Sequence, residues 1–162
     1  MKCLNDFNER LSRVLTMNLL VGIGNVIRLD DGLGPYMAQH FKADGWETLD
    51  CGTVPENFTS KIKQLHPELV VFVDAAEMDL EPGEFRIIPK EQIKDFSCGT
   101  HNLPLSLMMD FIQQSLDVKM VFVGVQPVSV DDGEGLSPEV FQGLEKLTQA
   151  LMDDPLKKIC SL

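Results

Sequence analysis

A chain of 162 residues with 44% hydrophobic and 24% charged residues has the size and composition of one soluble domain. Folding a chain this long removes roughly 70% of its unfolded surface from water, so a core can form without disulfide or metal staples. The 25 acidic against 14 basic residues give a net charge of −11, which argues against a nucleic-acid partner, since no basic cluster is present to displace counterions from phosphate. No run approaches the ~20 apolar residues of a membrane span. Asp6 and Glu9 stand where a secretory leader needs an apolar core. A cytoplasmic protein with no membrane partner is expected. The cysteines Cys3, Cys51, Cys98 and Cys160 are scattered and form no C-x-x-C pair. Zinc-ribbon and thioredoxin patterns therefore fail on spacing, and reduced thiols are expected.

In chain order, Leu4, Phe7, Leu11, Val14 and Leu15 share one helical face, which predicts a short amphipathic helix within an extension, residues 1–16. Met17 to Ile23 is nearly continuous apolar sequence and suits a strand buried on both faces. It runs into Gly24-Asn25-Val26-Ile27-Arg28-Leu29-Asp30-Asp31-Gly32-Leu33-Gly34-Pro35, an acidic, glycine-rich loop. A helix is expected from Pro35, where proline fits the first turn, with Met37, Ala38 and Phe41 inward. A second strand is expected over 47–51. Thr53 and Glu56 then have capping-box spacing ahead of a helix with the stripe Phe58, Ile62 and Leu65, stopped by Pro67.

Leu69 to Val73 predicts a buried strand ending on Asp74, and Pro82-Gly83 a turn into a strand over 84–88. Residues 99–102 predict a loop. The next helix has Pro104 in its first turn and an expected stripe of Leu107, Met108, Phe111 and Ile112. Met120 to Val125 predicts the last strand. Ser137-Pro138 opens the last helix, with Val140, Leu144, Leu147 and Leu151 inward, and the tail 153–162 is expected to fray. Alternating strands and helices predict one α/β domain: a three-layer α/β/α sandwich with a mostly parallel twisted sheet, its core spanning 17–152.

In such a sheet, ligands bind at the carboxyl ends of the strands. A dinucleotide loop wants glycines at the first, third and sixth positions; Gly22 and Gly24 fit, but the sixth is Ile27, and Asp30 and Asp31 would repel phosphate. G-x-S-x-G is absent. Cys98 and His101 are too close in sequence to suit a thiol–imidazole pair. What remains is Asp31 after the first strand, Asp74 ending the central strand and His101 in a later loop. Taken singly, the acids have plain structural uses: Asp30 and Asp31 beside a positive helix N-terminus, Asp74 as a loop cap. Jointly the three fall at one sheet edge, and two carboxylates with one imidazole form a metal-ligating set suited to zinc, nickel, manganese or iron. A resident zinc is disfavoured because no H-E-x-x-H motif is present.

Five blocks in order carry a resemblance: Gly22-x-Gly24-Asn25 with Asp30-Asp31-Gly32-x-Gly34-Pro35; Asp50-x-Gly52-Thr53-x-Pro55-Glu56-Asn57; Val73-Asp74-Ala75-Ala76 with Pro82-Gly83-Glu84-x-Arg86; Thr100-His101-Asn102-x-Pro104-Leu105; and Gly124-x-Gln126-Pro127. Together they resemble the [NiFe]-hydrogenase maturation endopeptidases, in particular the branch acting on group-3 and group-4 type large subunits, including those of formate-hydrogenlyase enzymes. The resemblance implies an α/β/α endopeptidase that removes a C-terminal extension from the nickel-loaded large-subunit precursor, its partner. It implies that Asp31, Asp74 and His101 are the catalytic and nickel-recognising positions. The nickel would then be carried by the substrate, leaving the resting enzyme metal-free, and would serve as a recognition element or also as a Lewis acid. Asp50 matches a further family acid. The alternative is a non-cleaving nickel-site checkpoint or chaperone for the large subunit. With no apolar stripe left over in this reading, a monomer is expected.

Overall fold

The computed structural model describes residues 17–98 and 103–162. The helix expected over 4–15 and the loop residue His101 lie outside the described residues.

Five strands form one sheet: β1 Asn18–Gly22, β2 Trp46–Asp50, β3 Leu69–Ala75, β4 Phe85–Ile88 and β5 Lys119–Val125. Their spatial order is β2-β1-β3-β5-β4. The first four in that order run parallel, and β4 pairs antiparallel with β5 at the edge. All seven residues of β3 are buried, as the central position requires.

Period-two alternation sorts the strand residues between two faces. Leu19, Val21, Val70, Phe72 and Phe122 face a core shared with α2 Thr59–Leu65, α3 Ile93–Phe96 and α4 Leu105–Gln113. Leu20, Val71, Val73, Val123 and Val125 face α1 Leu33–His40 and α5 Pro138–Asp153. The result is the expected three-layer sandwich.

Two close approaches set the height of the helices over the sheet. A Cβ on Gly34 would lie 2.1 Å from the Ile23 carbonyl oxygen and 2.6 Å from that of Val73. Only glycine lets the first turn of α1 sit on the ends of β1 and β3 together. Gly143 and Gly83 do the same for α5 and the turn before β4, where a Cβ on either would lie 2.2 Å from backbone oxygen of the other segment.

Several local expectations are corrected. α1 starts at Leu33, after a 3-10 turn over Leu29–Gly32, so Pro35 is the third helical residue. Its missing N–H is still among the donors that lack an intrahelical partner. The Thr53 capping box does not start α2: a 3-10 turn, Pro55–Phe58, intervenes, and its cap Val54 and the α2 cap Phe58 make no side-chain cap bond. β3 runs one residue past Asp74, to Ala75. α4 buries Leu105, Met108, Met109 and Ile112 and turns Leu107 and Phe111 to solvent. Those two form an exposed i, i+4 apolar pair on the helix, and Leu103 just before it is exposed as well. The monomer expectation rested on no apolar helix face being left over.

The tail does not fray. The Ile87 N–H donates to the Cys160 carbonyl and the Leu162 N–H to that of Ile87, at 2.9 Å each. Ile159 is buried against the α1/α5 face. The tail thereby covers the open side of edge strand β4, which would otherwise present unpaired backbone groups.

Candidate active site

The strand order reverses beside β1: the chain passes from β1 outward to β2, then back across to β3. The carboxyl ends of β1 and β3 therefore flank the crevice in which open α/β sheets hold ligands. Asp31 lies in the turn after β1, which packs against β3, and Asp74 is the sixth residue of β3. Both are buried, at 2% and 0% exposure.

Each carboxylate is oriented by local backbone. The Asn25 N–H donates to Asp31 Oδ2 and to the Asp31 carbonyl, both at 3.1 Å. Asn25 Oδ1 in turn accepts from the Ile27 N–H at 3.2 Å. Leu29 takes a left-handed conformation, φ 42°, and its N–H donates to the Gly133 carbonyl at 2.9 Å. The loop is thus held by the segment after β5. Asp74 Oδ1 accepts from the Ala75 N–H at 2.8 Å, and Oδ2 from the Ser97 hydroxyl at 3.2 Å.

The stretch before residue 99 runs antiparallel to the end of β3. The Glu77 N–H donates to the Phe96 carbonyl at 2.8 Å, and the Cys98 N–H to that of Ala75 at 3.2 Å. This brings the Cys98 thiol beside the crevice, where burial first, then the Asp74, Asp31 and Glu77 carboxylates, push it up to about 12. A thiol so placed stays protonated at neutral pH and is a poor nucleophile. Among the described residues no three metal-ligating side chains gather in one cluster; the third expected ligand, His101, falls outside them.

Two residues do work that their sequence context does not announce. Asp30, 1% exposed, is turned away from its neighbour's task. It accepts from the Val128, Ser129 and Ser137 N–H groups at 2.9, 3.3 and 2.7 Å and from the Ser137 hydroxyl at 3.0 Å. It fastens the acidic turn to the N-terminus of α5. Buried Gln126 accepts at Oε1 from the Met78 and Leu80 N–H groups and donates from Nε2 to Glu77, at 2.8, 3.3 and 2.7 Å. It fixes the turn leaving β3. Doublet acids give no sign of which one turns inward; the Gln126-Pro127 step was visible only as a motif without a role. Exposed Asp50 accepts from Gln39 Nε2 at 2.9 Å and from the Gly52 N–H at 3.1 Å, tying β2 to α1.

This is the fold of the hydrogenase maturation endopeptidases. It superimposes on the crystal structure of a Hydrogenase 3 maturation protease with a TM-score of 0.77 at 30% identity, covering 91% of this chain and 97% of that one. The [NiFe] hydrogenase maturation protease HycI from Thermococcus kodakarensis aligns with a TM-score of 0.75 at 32% identity, over 86% and 92%. In sequence, the Hydrogenase 3 maturation protease of Escherichia coli is 33% identical over 138 residues, 83% of this chain and 88% of that protein. The family profile for hydrogenase maturation protease, HycI type, matches residues 33–154. The chain belongs to the hydrogenase maturation protease family, and the HycI match agrees with the branch that the five blocks suggest.

Proposed function

We propose that this maturation protease cleaves the C-terminal extension from a nickel-loaded [NiFe]-hydrogenase large-subunit precursor in the cytoplasm, with Asp31, Asp74 and His101 as the residues that meet the substrate's nickel. The observation that carries the reading is the pair of buried carboxylates at the switch-point crevice, Asp31 in the turn after β1 and Asp74 near the carboxyl end of β3. Two carboxylates removed from water favour a cation between them, and a cation arriving with the substrate supplies that counter-charge only when the correct precursor is docked. His101 follows Cys98 by three residues, a chain reach of at most about 10 Å. An imidazole and two carboxylates would together take a nickel ion and leave coordination positions to the substrate's own ligands. Selectivity then comes from requiring both peptide and metal. With its thiol protonated, Cys98 is not the nucleophile.

The test is cleavage of a matched precursor, nickel-loaded and nickel-free, read by intact mass. Loss of the C-terminal peptide from the loaded sample alone is expected. Loss from both would remove nickel as the trigger. A stable complex without a fragment would favour the checkpoint alternative. Asp31→Asn, Asp74→Asn and His101→Ala should each abolish cleavage, and Cys98→Ser should retain it; a wild-type rate in any of the first three removes that residue from the set.

A further inference from the structure

Beside the acidic turn lies a pocket of about 280 Å³ that the chemistry above does not use. Val26 and Leu29 from the turn, Tyr36 from α1, Leu136, and Phe141 from α5 form its walls. No residue lining it carries a carboxylate, ammonium or guanidinium group, in a chain of net charge −11. The Tyr36 ring meets Phe141 edge-on at 5.8 Å and stacks on His40 at 4.0 Å, so the aromatic wall is braced. The opposite wall is braced by the Leu29–Gly133 hydrogen bond. The rim is apolar and open to solvent: Val26 is 54%, Ile27 58% and Phe141 42% exposed. Polar turns of acidic proteins do not ordinarily expose adjacent β-branched residues, and a preformed apolar concavity is the usual form of a side-chain binding site.

We propose that this pocket binds an apolar side chain of the precursor segment that is released, and so sets the register of the scissile bond against Asp31 and Asp74. The inference rests on the peptidase reading above. The pocket adjoins the turn that carries the first candidate acid: Leu29 and Gly32 of its lining belong to the same four-residue turn as Asp31. In that reading the metal and the retained body occupy the crevice. Polypeptide beyond the cut leaves over its rim, where Val26 and Ile27 on one loop and Val128 on the next give an apolar track. The uncharged lining selects an apolar residue over a charged one, since an ion there would lose hydration without gaining a partner. The volume suits one large aliphatic or aromatic side chain.

The test uses the full-length enzyme, its nickel-loaded precursor, and a fluorescent synthetic peptide with the sequence of the released extension. Val26→Ser and Phe141→Ser should each raise KM about tenfold, with kcat falling less than twofold, the pattern of lost binding common to ground and transition states. Both should weaken peptide binding, read by anisotropy, by a similar factor. Replacing the extension's apolar residues one at a time by serine should find one position that weakens binding to wild type but not further to Val26→Ser. Asp31→Asn should bind the peptide as wild type does while failing to cleave, which separates the pocket from the chemistry. Unchanged KM and peptide affinity in Val26→Ser overturn the proposal; that side chain is over half exposed, so the variant folds even if Phe141→Ser does not. Absence of peptide binding to wild type overturns it too. If no precursor is cleaved at all, the peptidase reading falls, and the anisotropy arms still decide the pocket.

Discussion

Asp30 and Asp31 are neighbours with opposite tasks. Asp30 accepts from four donors in the segment 128–137, whereas the Asp31 carboxylate accepts from the Asn25 N–H of its own loop, at the end of β1. Asp30→Ala would leave three backbone N–H groups and a hydroxyl without their acceptor, and should cost about 3 kcal/mol in urea denaturation, since hydrogen bonds to charged groups are the strong ones. Asp31→Asn keeps a side-chain oxygen that can accept from the Asn25 N–H and should cost less than Asp30→Ala. Equal losses in the two variants would contradict this division. The thiols offer a second check. Burial, and then Asp50, push Cys51 up to about 12, as burial and three carboxylates do for Cys98. Below the ordinary thiol value of 9.0 both the folded and unfolded chains keep these protons; between there and about 12 only the folded chain does. Unfolding free energy therefore falls as pH rises through that window. Urea midpoints at about pH 8 and pH 10 should show the decline, and Cys51→Ala with Cys98→Ser should lessen it.

At the scale of elements, periodicity alone misassigns α4. The helix carries two apolar faces, one through Leu105, Met108, Met109 and Ile112 and one through Leu107 and Phe111, and the expected stripe of Leu107, Met108, Phe111 and Ile112 mixes them. Which stripe is buried depends on the rotation at which the helix meets β3 and β5. The outer stripe has modest cover: the Lys63 ammonium sits 3.7 Å over the Phe111 ring, a cation–π contact. Met108→Ala should cost about 3 kcal/mol, and Leu107→Ala less than about 1 kcal/mol, measured by chemical denaturation. Gly34 gives a sharper case. The neighbours of its missing Cβ are backbone atoms of Ile23, directly after β1, and of Val73 in β3, which cannot rotate aside. Gly34→Ala should lift the first turn of α1 off the sheet and destabilise by more than about 3 kcal/mol, a cost in the overpacking range. It should also lower cleavage by displacing Asp31, whereas Gly52→Ala, with nothing within 4 Å of its added Cβ, meets only backbone strain at φ 51°.

For the whole molecule, the tail is the least expected part. Its hydrogen bonds to Ile87 extend the sheet by one partner beyond β4, and Ile159 adds to the α1/α5 core. Truncation after Asp154 removes both. It should cost about 2 kcal/mol from the buried isoleucine alone and uncover an edge strand, seen as a lower melting temperature and a rise in light scattering. A truncated chain that melts like the parent and stays monodisperse would show the tail to be ornamental. The same scale decides the crevice. Asp31 and Asp74 lie 43 positions apart in the chain and come to the same end of the sheet because β1 and β3 are adjacent and parallel.

Composition and local pattern alone determined the layers. Continuous apolar runs can be satisfied only by strands buried on both faces, and the i, i+3, i+4 stripes of α2 and α5 only by helices laid on those faces. The acids at strand ends were legible for the same reason: a carboxylate ending a buried run must emerge at the sheet edge. The five ordered blocks carried the family. Strand order, the inward turn of Asp30, the buried stripe of α4 and the docking of the tail were decided by tertiary structure. Each depends on partners far away in sequence, such as Ser137 for Asp30 and Cys160 for Ile87. A local pattern records a residue's preference for burial or turn; only long-range packing selects which of its equal alternatives is realised.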